Sequence, residues 1–152
     1  MCNHLQRHRP TGQRPVGTTV IELVVALALT ATVLAIATPR LRLAMDHAAL
    51  RAAAGDAATT FGYARRLAIA RRGSVAVRID SVRRRLILFS GPDTLLVRAL
   101  GERYGVRLRG TRDSMAFDLR GLGYGAANLS LIMVRGAVAE TLVVARLGRI
   151  RR

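Results

Sequence analysis

Lysine is missing from the 152 residues: all 25 cations are arginines, set against nine carboxylates, for a formal charge of +16. The absence reads as the coding bias of a GC-rich genome rather than as chemistry. Cysteine is nearly missing too. The single copy, Cys2, falls in the opening segment 1–17. Residues 18–152 can therefore build neither a disulfide framework nor a cysteine-based metal site. His4 and His8 lie in the same opening segment, which leaves His47 as the only other imidazole. A lone histidine on a helix face reads as a solvated side chain, not as a ligand or a base. Asp80, Asp93, Asp113 and Asp118 show no spacing that converges two carboxylates in a cleft, as a glycosidase pair requires. Ser114 and Ser130 have no base at a recognisable distance. The run Gly121-Leu122-Gly123-Tyr124-Gly125 lacks the Lys-Ser/Thr of a phosphate loop and any helix after it, so it reads as a turn. No catalysis, cofactor or metal is expected.

Charge is also absent locally, and this absence organises the chain. From Leu23 to Thr38 no residue is ionisable, and Glu22 is the only charge just inside the run GTTVIELVVALALTATVLAIATP. A helix over 18–38 would be about 30 Å long, the thickness of a bilayer's hydrocarbon core. In lipid only a helix satisfies such a backbone. Arg7, Arg9 and Arg14 precede the run with no acid among them, which keeps the N-terminus cytoplasmic and exports the rest. A secretory signal would instead place a small-residue cleavage site after a shorter apolar stretch. A carboxylate in lipid costs roughly 2.5–3.5 kcal/mol, so Glu22 calls for an interface or a cation. Cleavage after Gly17 would supply one, the new α-amine of Thr18.

Gly17, the Thr18-Thr19 pair, Ile21-Glu22-Leu23, the long apolar run and Pro39 together resemble the prepilin signature of type IV pilins and type II secretion pseudopilins. The resemblance implies a prepilin peptidase that cuts after Gly17 on the cytoplasmic face and methylates Thr18. It also makes Glu22 the carboxylate that guides assembly. The family usually carries Phe where this chain has Thr18, a departure that bears on methylation.

Past Pro39, apolar residues continue at helical spacing through Leu43, Leu50, Ala54, Ala57, Phe61, Ala64 and Ala68. Gly73 is a natural stop, and Pro39 would bend the helix by removing one ladder bond. The reading is one helix over 18–72, half in lipid and half amphipathic. Gly55 and Gly62 either weaken it or admit close packing. Beyond Gly73 the period becomes two. Strands are expected over 74–80, 84–90, 94–100, 105–109, 114–118, 129–135 and 141–147, separated by glycine-rich turns. The fold class is α+β and pilin-like, a long N-terminal helix packed on a C-terminal antiparallel sheet. Its segments are 1–17 as leader, 18–39 as transmembrane and assembly helix, 40–73 as amphipathic half, and 74–152 as periplasmic β-domain.

The stretch LRAAAGDAATTFGYARRLAIARRGSVAVRID, the corner Phe117-Asp118-Leu119-Arg120-Gly121 before Gly123, and the ending LVVARLGRIR are similar to the GspH/FimT family of minor pseudopilins. That resemblance implies a structural subunit of a type II secretion pseudopilus, held in the bacterial inner membrane by one span and assembled into a periplasmic filament. Its partners would be other pseudopilins or pilins, the prepilin peptidase and the inner membrane. The alternative is a type IV minor pilin of the DNA-uptake kind. From Ser74 onward, 15 arginines face six acids, leaving +9, a field able to hold phosphates. Arg149, Arg151 and Arg152 would then form the contact, as three cations at a free end. A solvated basic surface fits the same arginines, and Tyr104 and Tyr124 offer only sparse stacking.

Overall fold

The computed structural model describes residues 19–124 and 128–151. Gly17, Thr18 and Arg152 lie outside them, so the expected cleavage and methylation sites and the last arginine are not among the residues described.

Alanine and leucine carry the first element, helix α1, over Val20–Arg71, with Pro39 inside it. The chain divides into two compact units, with the boundary between Pro39 and Arg40. In the first, the apolar side chains are exposed on every side of the helix, from Val20 and Ile21 to Leu34 and Ile36. Among the described residues, one helix is long and apolar enough to cross a membrane, and this is its apolar segment.

In the second unit the rest of α1 buries a stripe of Leu50, Ala53, Ala54, Ala57, Thr60, Phe61, Ala64 and Ala68. Leu43, expected on that stripe, is exposed. Most of the buried positions are alanines, so the backbone can lie close to the sheets while Phe61 fills the deepest gap. The helix ends one residue earlier than its glycine suggests. The Gly73 N–H reaches the Ala68 carbonyl and the Arg72 N–H reaches that of Ile69, a Schellman arrangement. The left-handed position is Arg72, with φ 51°, and not Gly73.

Nine strands are found among the described residues: β1 Val75–Asp80, β2 Arg85–Ser90, β3 Asp93–Arg98, β4 Arg107–Gly110, β5 Ser114–Phe117, β6 Gly123–Tyr124, β7 Leu129–Arg135, β8 Val138–Val144 and β9 Ile150–Arg151. They form two antiparallel sheets, ordered β3-β2-β1-β5-β6 and β4-β7-β8-β9. The split is bridged where the Gly123 N–H donates to the Arg146 carbonyl at 2.6 Å. Side chains alternate along each strand. Val75, Val77, Leu86, Leu88, Met115 and Phe117 of one sheet, with Leu129, Leu131, Met133, Leu142 and Val144 of the other, share one core with the helix stripe.

Three differences from the sequence reading have local causes. A one-turn helix, α2 over Leu100–Tyr104, interrupts the strands expected at 94–100 and 105–109, and Gly105 closes it in a left-handed cap with φ 67°. Five residues are too few for a helical period to register. Strand β8 starts at Val138 rather than 141, because Gly136 with φ 56° makes a two-residue loop between Arg135 and Val138. Strands β6 and β9 are two residues each and leave no alternation to read.

Candidate functional site: a helix start and a basic surface

Helix α1 begins with Thr19 as its N-cap. The Thr19 hydroxyl oxygen accepts the backbone N–H of Glu22 at 3.3 Å. Thr19 and Glu22 thus occupy the first and last places of a Thr-x-x-Glu capping box, and the carboxylate sits in the first helical turn, where the helix dipole favours negative charge. Sequence reasoning missed Thr19 as this cap, although its three-residue spacing to Glu22 was the signal. The carboxylate is exposed and makes no ion pair among the described residues.

Within the apolar segment, the polar groups are satisfied by the helix itself. The hydroxyls of Thr30, Thr32 and Thr38 donate to the carbonyls of Ala26, Ala28 and Leu34 at 2.6–2.8 Å. Three threonines therefore place no unpaired donor on the surface, the condition a segment must meet in lipid or against other apolar helices. Pro39 has no N–H to offer the carbonyl four residues back.

Arginines gather where the C-terminal end of α1 meets two glycine turns. Arg65 donates from Nε to the Gly121 carbonyl at 3.0 Å. Both Gly121 and Gly148 adopt left-handed backbone, φ 74° and 75°, and a Cβ at either would strike the Arg65 side chain. At the first turn the Asp118 carboxylate accepts the N–H groups of Arg120 and Leu122, each at 2.9 Å. Gly121 and Leu122 thus form a turn that leads into β6. At the second turn, the Gly148 N–H donates to the Ala145 carbonyl and the Ala145 N–H to that of Arg149. The chain then doubles back as β9, with Ile150 opposite Val144 and Arg151 opposite Val143.

Arg149 and Arg151 are consequently not at a free end. They are alternate residues at a paired strand, both exposed, with half-buried Ile150 between them. They border a cavity of about 300 Å³ with Asn128, Val143, Ala145 and Leu147.

The partly buried carboxylates are structural. Asp46 binds Arg135 at 2.8 Å, and Arg135 also donates to the Tyr104 carbonyl. Asp56 gathers Arg98, Arg103 and the Tyr104 hydroxyl at 3.4–3.8 Å, tying α1 to β3 and α2. Asp80 closes the β1–β2 loop, accepting the Arg83 N–H at 2.8 Å and Arg85 Nε at 3.1 Å. The Arg83 N–H chiefly, with Arg85 adding to it, holds the Asp80 carboxyl below its ordinary value of 3.8. His47 is exposed on α1. Among the described residues no three potential metal ligands gather.

No family model and no curated protein sequence matches the chain. In three dimensions it is similar to the Pseudomonas aeruginosa type IV minor pilin FimU in two crystal forms, with TM-scores of 0.59 and 0.56. Identity is 14% in both, over 67% of this chain and 86% and 90% of FimU. A long N-terminal helix packed on antiparallel sheet is the shared architecture, and the fold is that of a pilin.

Proposed function

We propose that the protein is a minor, structural subunit of a type IV pilus or a type II secretion pseudopilus. One observation carries the reading: an apolar helical segment with its polar groups internally satisfied starts at a lone carboxylate and leads into a pilin-fold domain. In this reading a prepilin peptidase removes residues 1–17, leaving Thr18 as the N-terminus and the site of methylation. Glu22 meets the α-amine of a neighbouring subunit as the apolar helices pack. The domain stands in the periplasm while the span holds the subunit in the inner membrane until extraction. The test is the intact mass of the protein from membranes with and without its prepilin peptidase. Loss of residues 1–17 only when the peptidase is present supports the reading, and an uncut chain in both overturns it. Deleting the gene assigns the machine: loss of protein secretion identifies the pseudopilus, and loss of DNA uptake identifies the pilus.

A second reading, nucleic-acid contact, is favoured by Arg149 and Arg151, both exposed on either side of half-buried Ile150 where β9 begins. Each phosphate contact contributes roughly 0.9 to the slope of log affinity against log salt for duplex DNA. Arg149→Gln with Arg151→Gln should therefore flatten that slope by about 2. An unchanged slope removes the tail from the contact surface.

A further inference from the structure

The outward face of the five-stranded sheet carries an ordered row. Register sets Phe89 opposite Ala76, Ala76 opposite Ala116, and Ala116 opposite Tyr124. These residues alternate with the buried Val75, Val77, Leu88, Met115, Phe117 and Gly123, so all four point away from the core. Across four strands the row thus reads aromatic, alanine, alanine, aromatic. With strands about 4.8 Å apart, the two ring-bearing positions stand roughly 14 Å from each other. Between them lies a floor with nothing taller than a methyl group. In the adjacent row, the Arg78 guanidinium lies over the Phe89 ring, 5.1 Å from its centroid.

This composition is selective in a chain with three Phe and three Tyr. Phe61 and Phe117 are core residues, whereas Tyr124 is 77% exposed. So exposed a ring adds little to folding. Two carboxylates of this sheet and its turns are occupied: Asp80 pairs with Arg85, and Asp118 accepts two backbone N–H groups of its own turn. Strand β6 is also joined to the basic tail, since Gly123 donates to the carbonyl of Arg146, three residues before Arg149.

We propose that this row is a stacking platform for single-stranded nucleic acid. A base lies on the exposed ring of Tyr124, and the phosphate backbone runs between Arg78, whose guanidinium covers Phe89, and Arg151 of β9. The proposal rests on the nucleic-acid reading of the tail and adds a substrate class to it. Stacking needs a free base face, which a single strand offers and a duplex conceals. It also tolerates any sequence, because every base has such a face.

The test uses the full-length protein in detergent, a labelled oligothymidylate and a duplex of equal length. Tyr124→Ala should weaken single-strand binding roughly 5- to 150-fold, the range for loss of one stacked base. Duplex affinity and the salt slope should stay as in wild type, and Tyr124→Phe should bind like wild type. Equal single-strand affinity in Tyr124→Ala and wild type overturns the platform, as does an equal loss on both ligands. In those cases the Arg149→Gln, Arg151→Gln double variant separates the two ideas, because its loss of binding leaves the tail reading standing. A wild-type protein that binds neither ligand at low salt removes both.

Discussion

Replacing Glu22 by Gln separates the place of Glu22 in the helix start from the assembly role proposed for its carboxylate. At the helix start Glu22 offers its backbone N–H to the Thr19 hydroxyl, a bond that Gln leaves in place. In the proposed assembly role it needs its charge, which Gln lacks. The two losses differ in size. Removing a cap costs about 0.5–2 kcal/mol, whereas removing one partner of a desolvated ion pair costs about 3–5 kcal/mol. Val20 and Ile21 beside it are 78% and 76% exposed, and the residues after it are apolar on every side. Packing a neighbouring helix there would strip water from the carboxylate, which places the pair in the costly class. At 1.4 kcal/mol per decade, a loss of 3–5 kcal/mol lowers the equilibrium for incorporation by roughly two to three and a half orders of magnitude. The assay compares wild type, Glu22→Gln and Thr19→Ala for peptidase processing, membrane insertion and recovery in sheared filaments. Glu22→Gln should be processed and inserted normally yet absent from filaments. Thr19→Ala should fray the helix start and still be incorporated. Wild-type recovery of Glu22→Gln, or equal defects in the two variants, would refute the charge argument.

Three further outcomes are expected in the second unit. Arg72 holds left-handed backbone, which costs a residue with a Cβ about 1–2 kcal/mol. Thermal unfolding should therefore find Arg72→Gly more stable than Arg72→Ala by about 1 kcal/mol, both having lost the charge. Phe61, fully buried at the middle of the helix stripe, should cost about 3–5 kcal/mol as Phe61→Ala, measured by denaturant midpoint. Because the Asp80 carboxyl titrates below its ordinary 3.8 in the folded chain, its contribution is complete above that value and fades as pH falls through the folded pKa. Asp80→Asn should thus be less stable than wild type near pH 7, with the gap closing below about pH 4. A gap that stays constant across that range would show that Asp80 acts through neutral hydrogen bonds alone.

How much of the fold and the site is legible in the residues depends on the range over which each signal acts. The apolar run, its single carboxylate and the alanine stripe of α1 are one-dimensional patterns, so composition and period display them without tertiary help. The same holds for β1, β2, β5 and β7, each bounded by turn residues and long enough to alternate. The capping of the Glu22 N–H by Thr19 is equally local, a three-residue spacing at the head of the apolar run. Helix α2 and strands β6 and β9 were not legible. A segment of two to five residues carries too little period, and each exists because a neighbour is waiting: Gly101 donates to the Arg84 carbonyl, and Arg151 lies opposite Val143.

Sequence alone determined that one segment seeks an apolar surrounding and that the remainder is a helix on a sheet, since water decides both at the level of residue type and spacing. Only the tertiary structure decided that the strands split into two sheets and that the arginine tail folds back as an edge strand. It alone also aligned Phe89, Ala76, Ala116 and Tyr124 across four strands. Those outcomes depend on register, and register is set by pairings between residues far apart in the chain, where a slip of one position would turn every side chain to the opposite face.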